Sequence, residues 1–102
     1  MFIVNVLFET SDTDAVLAAV KDLLERIVSR QPGFRRARLH VGVEPSTDVV
    51  VNYMEWDSRD AFMAFRAAHG SEVTEAVGRF APRFLFFEVA HAAGDWGAGP
   101  QT

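Results

Sequence analysis

The chain of 102 residues has no cysteine. That absence excludes disulfide scaffolds, zinc–thiolate sites and thiol nucleophiles together. Lysine is nearly absent as well: Lys21 stands alone beside nine arginines, a skew that reads as compositional bias. Positive charge is outweighed, with 14 acidic against 10 basic residues and a net charge of -4. The electrostatic footprint of a nucleic-acid binder is therefore missing. No apolar run is long enough to span a bilayer. Met1 to Phe8 is short, without a basic leader, so no signal peptide is expected. These absences predict a soluble, cytoplasmic protein without nucleic-acid or membrane partners. Hydrophobic residues at 49% and charged residues at 24% are ordinary for one folded domain. The expected division is a domain over 1–91 and a flexible Gly/Ala-rich C-terminal tail over 92–102.

Hydrophobic periodicity organises what remains. Phe2 to Phe8 (FIVNVLF) reads as a strand. Glu9 to Asp14 is a polar break, with Ser11 and Asp14 spaced as a capping box. From Ala15 the period becomes helical: Val16, Val20, Leu23, Leu24 and Ile27 share one face until Pro32-Gly33 stops the helix. Phe34 to Val43 reads as a second strand and Val49 to Trp56 (VVVNYMEW) as a third. Asp57 or Ser58 can cap a second helix carrying Phe62, Phe65 and His69 on one stripe. Gly70 is expected to interrupt it, with a further short helix from Ser71 to about Phe80. Arg83 to Ala90 forms the last strand. The order β-α-β-β-α-β predicts an α+β, ferredoxin-like fold: a four-stranded antiparallel sheet with both helices on one face.

Such a sheet leaves one face bare, and that face should be polar in a monomer. Here it is not. Phe84 to Phe87, Val49 to Val51, and Ile3 and Leu7 beside Phe2, Val4, Val6 and Phe8 are apolar on both parities. Leaving such side chains in water forgoes roughly 1.5–3 kcal/mol each. A homodimer packed sheet to sheet is the expected remedy. The alternative cover is the tail, anchored by Trp96.

Few residues can carry chemistry. Asn52 is a polar residue inside an apolar strand, on the parity of Val50, Met54 and Trp56. An unpartnered buried amide costs about 1–3 kcal/mol. Its amide and the Trp56 indole N–H can line two ends of a flat, multi-ring ligand; otherwise both are core residues with neighbouring partners. Asn5 is a second strand amide. His40 can serve as a general base or as a structural histidine. Met54, Phe62, Met63 and Phe65 can wall an aromatic pocket or simply fill the core. The three histidines have no metal-ligand spacing, and no phosphate loop, dinucleotide fingerprint or nucleophile elbow is present.

The turn Pro32-Gly33-Phe34, the segment ARLHVGV, the strand Val50 to Trp56 and the helix start Asp57 to Phe62 together resemble the antibiotic biosynthesis monooxygenase family. The resemblance follows element order from Phe2 to Val89 and is most specific from Gln31 to Phe65. It implies a dimeric α+β barrel. In one branch, small oxygenases of aromatic polyketide pathways convert anthrones or phenols to quinones without a cofactor. The resemblance places Asn52, Trp56 and His40 as catalytic residues there; Asn5, Met54, Phe62 and Phe65 are the expected substrate-binding residues. A tyrosine of that branch is replaced by Phe62, which removes a hydroxyl. A haem-degrading branch matches at Asn5 but has Phe65 and Thr74 or Glu75 where it needs Trp and His, so it fits less well.

The implied function is a cofactor-independent, metal-free monooxygenase that oxidises a polycyclic phenol or anthrone with O2. An electron-rich enolate can hand O2 its electron directly, so the protein need only bind, deprotonate and stabilise the anion. The alternatives on the same fold are a polyketide cyclase or a non-catalytic ligand-binding domain.

Overall fold

The computed structural model describes residues 1–96. Its elements are β1 (Phe2–Glu9), α1 (Thr13–Arg26), β2 (Phe34–Val41), β3 (Val49–Trp56), α2 (Arg59–Val77) and β4 (Arg83–Glu88), with short 3-10 turns after each helix. The strands form one antiparallel sheet in the order β2-β3-β1-β4. This is the expected ferredoxin-like α+β arrangement.

Period-two alternation assigns the faces. Phe2, Val4, Val6 and Phe8 of β1, with Val50, Met54 and Trp56 of β3, point under the helices. Val16, Val20 and Leu23 of α1 and Phe62, Phe65 and Val77 of α2 close over them to form the core. Phe86 joins this side, its ring 5.7 Å from Phe2 and 5.6 Å from Phe62.

Local chemistry sets the boundaries. The α1 cap is Asp12, which accepts from the Ala15 amide at 3.2 Å, rather than the Ser11–Asp14 pair. Ser58 caps α2 by accepting from the Ala61 amide at 3.1 Å. α2 runs unbroken through Gly70. A helical glycine costs only about 1 kcal/mol relative to alanine, too little to end a helix anchored at Phe62, Phe65 and Val77. β2 stops at Val41, two residues early, because the chain folds back at Gly42: its amide donates to Val49 O at 2.8 Å, and Ser46 O occupies the space a Cβ would need. β4 likewise ends at Glu88 rather than Ala90, since β1 offers no partner beyond Phe2.

Gly33 explains the Pro-Gly-Phe turn. Its φ is +84°, and a Cβ there would lie 2.5 Å from the Ala61 Cβ. The turn thus sits directly against the first turn of α2. Gly33 O accepts from the Asp57 amide at 2.8 Å, and Arg35 pairs with the Asp57 carboxylate at 2.9 Å. These contacts fix the end of β3, and with it Trp56, against the start of α2.

The opposite sheet face carries Ile3, Asn5 and Leu7 of β1, Tyr53 and Glu55 of β3, and Leu85 and Phe87 of β4. Leu85 and Phe87 remain 36% and 46% exposed. A charged group lies among these apolar residues: Glu55 is buried, and its Oε2 accepts from Arg36 Nε at 3.0 Å and from the Tyr53 hydroxyl at 2.9 Å. Trp96, considered above as an anchor for the tail, donates to Ala93 O at 2.7 Å and is 45% exposed. The rest of the expected tail, 97–102, lies outside the described residues.

Candidate active site

A cavity with about 390 Å³ of empty space, its mouth included, lies between the sheet and the two helices. β1 contributes Val6 and Phe8; β3 contributes Asn52 and Met54. α1 covers it with Val20, Leu23 and Leu24, and α2 with Phe62, Phe65, Val73 and Val77. Phe84 of β4 and Val28 complete the lining, which includes no ionisable side chain. Asn52 alone brings polar side-chain atoms to it.

Asn52 gets there by parity. It stands opposite Leu39 on β2 and Val6 on β1, both directed to the helix side. It is 6% exposed, and its Oδ1 is buried without a hydrogen-bond partner. Trp56, four residues along the same face, is fully buried, and its Nε1 is also unpartnered. These are the two fully buried, unsatisfied side-chain polar atoms among the described residues. Each forfeits about 1–3 kcal/mol unless something supplies a partner.

The two residues are not equally accessible. Asn52 lines the cavity. Trp56 does not: its ring is boxed by Phe34, Phe62 and Phe65 at centroid distances of 5.4, 5.5 and 5.4 Å. Phe62 and Phe65 also line the cavity, so Trp56 packs against two of its lining residues without lining it itself.

Met54, Phe62 and Phe65 are brought together with Asn52, as the sequence suggested. His40 and Asn5 are not. His40 stands opposite Val51 on the exposed face, its ring 6.3 Å from that of Tyr53. Asn5 lies between Tyr53 and Leu85 on the same face. A one-residue step along a strand reverses the face, and both residues have the parity opposite to Asn52. Single-strand reading missed the contributions of Val6, Phe8, Leu23, Leu24 and Phe84. Their signal was the shared inward parity of β1 and β4 and the apolar stripe of α1, which equally describe any core.

Residues 1–89 match the model of the antibiotic biosynthesis monooxygenase family. The chain belongs to this family. Among curated proteins no sequence matches significantly. Solved structures of similar fold include a monooxygenase from Streptomyces coelicolor, ActVA-Orf6, in complex with nanaomycin D. It is 24% identical, with 92% of this chain and 91% of that chain covered and a TM-score of 0.70. SnoaB from Streptomyces nogalater, described as a cofactor-independent oxygenase, is 18% identical over 92% of this chain and 96% of its own, with a TM-score of 0.75. A Mycobacterium tuberculosis protein, Rv0793, is 19% identical over 91% and 98%, with a TM-score of 0.67. At these identities the likeness to individual structures establishes the shared fold. In this antibiotic biosynthesis monooxygenase family member, the cavity between sheet and helices carries the Asn52 amide in its wall.

Proposed function

We propose that this family member oxidises a flat polycyclic phenol or anthrone with O2, using no flavin, haem or metal, and forms a quinone. The observation that carries the reading is the unpartnered Asn52 amide oxygen, buried in the wall of an otherwise apolar cavity. Phe62, Phe65 and Met54 suit an aromatic ring system, and Asn52 suits one oxygen on its edge. The nanaomycin D bound to ActVA-Orf6 and the description of SnoaB lend support by analogy of fold.

A half-turn of the side-chain amide exchanges Oδ1 and Nδ2. Asn52 can therefore accept from the hydroxyl of a neutral phenol or enol and donate to the oxyanion after ionisation. No ionisable group lines the cavity, so the proton leaves to solvent and the substrate supplies its own acidity. The resulting anion gives one electron to O2, and the radical pair joins as a C–O bond. Loss of the remaining C–H proton with cleavage of the O–O bond releases water and leaves the carbonyl. Overall a CH2 carbon and one O2 become C=O and H2O, which balances without an external reductant. Excluding bulk water strengthens the Asn52 contact with the anion. Trp56 Nε1 is the second donor in this reading, met by a substrate edge that displaces the Phe62 and Phe65 rings.

We further propose that two copies pack through the exposed sheet face, covering Leu85 and Phe87. Light scattering at micromolar concentration should give twice the chain mass; a stable species of 11.3 kDa contradicts the dimer. Oxygen uptake with a panel of anthrones in chelator tests the reaction itself. No uptake with any of them contradicts the oxygenase assignment.

A further inference from the structure

A second, shallow cavity, with about 420 Å³ of empty space when the open solvent at its mouth is included, adjoins the first; Phe65, Val73, Val77 and Phe84 line both. Its other residues differ in kind. Arg66 and Thr74 bring polar groups, and no carboxylate lines it. The Arg66 guanidinium sits 5.0 Å from the centroid of the Phe84 ring and has no ion-pair partner among the described residues. Gly70 also borders this cavity, in the middle of α2, and nothing lies within 4 Å of where its Cβ would be. Packing therefore does not require a glycine there, although glycine weakens a helix. The feature it preserves is open space beside Arg66.

We infer that the outer cavity is a subsite for an anionic substituent, and that Arg66 selects aromatic substrates bearing a carboxylate. This rests on reading the inner cavity as the substrate site. The flat rings lie against Asn52 and Phe65, and the acidic group reaches past Phe84 to Arg66. Phe84 is the shared wall, and it is held by a cation–π contact weaker than a charge-assisted pair between guanidinium and carboxylate. A carboxylate that draws Arg66 to itself also releases the Phe84 ring, so recognition of the charge opens the path between the cavities. Arg66 is thus a specificity residue for the reaction, remote from the reacting carbon.

The test is calorimetric binding of an anthraquinone carboxylate and of its uncharged hydroxymethyl counterpart, at low salt, to the native protein, Arg66→Gln and Arg66→Lys. The native protein should bind the carboxylate about fivefold more tightly, as expected for one exposed charge pair. Arg66→Gln should bring the ratio to about one, and Arg66→Lys should retain part of it. Equal affinities in the native protein, a ratio that survives Arg66→Gln, or binding of neither probe overturns the inference. Oxygen uptake on a neutral anthrone is measured on the same preparation. Uptake with no preference for the carboxylate removes this inference alone; neither uptake nor binding removes the oxygenase reading with it.

Discussion

His40 and Asn52 occupy adjacent strands, yet they stand on opposite faces of the sheet. His40 pairs with Val51 across the β2–β3 ladder, and Asn52 pairs with Leu39. Within one chain they cannot act on the same small molecule. The reaction proposed here accordingly assigns the proton to solvent. Turnover per KM should rise with the ionisation of the substrate, so anthrones of different acidity should give pH profiles displaced from one another. His40→Ala should leave those profiles in place. One common profile for every substrate, lost in His40→Ala, contradicts this assignment.

Asn52→Leu should separate stability from function. The amide oxygen is buried without a partner, so replacing it by a hydrocarbon relieves a cost of about 1–3 kcal/mol. Chemical denaturation should show a variant at least as stable as the native protein. Loss of a donor to the oxyanion should lower kcat by roughly a hundredfold or more. A variant that is both less stable and fully active would make Asn52 a structural residue.

The fold was legible because each element carried its own signal: alternation in Phe2 to Phe8, the 3.6-residue stripe from Val16 to Ile27, and the Val49 to Trp56 run. Helix continuity through Gly70 was not legible, since tertiary anchors on both sides outweigh a local propensity. Half of the candidate site was legible for a specific reason. Asn52 and Met54 share one strand and one parity, which alone places both at the cavity, while Trp56 shares that parity but stands outside the lining. His40 and Asn5 lie on other strands, and relating their faces to Asn52 requires the inter-strand register. For His40 that register depends on the Phe34/Arg36 irregularity in β2 and on the loop after Val41, and for Asn5 on the β1–β3 ladder, none of which periodicity reveals.

Gly33→Ala should be costly. The residue combines φ of +84° with a Cβ position 2.5 Å from Ala61 Cβ, so both strain and collision arise. Unfolding titrations should show a loss of about 2–4 kcal/mol. An unchanged midpoint would mean that the turn does not lock β3 to α2 as described.

Gly70→Ala should do the reverse. Its Cβ meets nothing within 4 Å, and the helix gains about 0.5–1 kcal/mol from the lost backbone freedom of the unfolded chain. A rise in melting temperature checks this; a fall would show that the position requires glycine for packing.

Tyr53 is the chain's single tyrosine, so tyrosinate absorbance reports it alone. Burial first, then the hydrogen bond to Glu55, holds its pKa above the ordinary 10.0. The native midpoint should therefore exceed that of the denatured chain. Folding retains the proton, so this contribution to stability is complete below about pH 10 and is lost as pH rises through the native pKa. Coincident native and denatured midpoints would contradict the Tyr53–Glu55 contact.

The most direct measurement is oxygen consumption by the purified native protein and by Asn52→Leu, with a neutral anthrone, in chelator and without added cofactor. The account predicts sustained uptake with quinone formed in equal amount to oxygen consumed, and roughly a hundredfold less in the variant. Uptake that requires added flavin, haem or metal, or that is the same with and without the Asn52 amide, would contradict it.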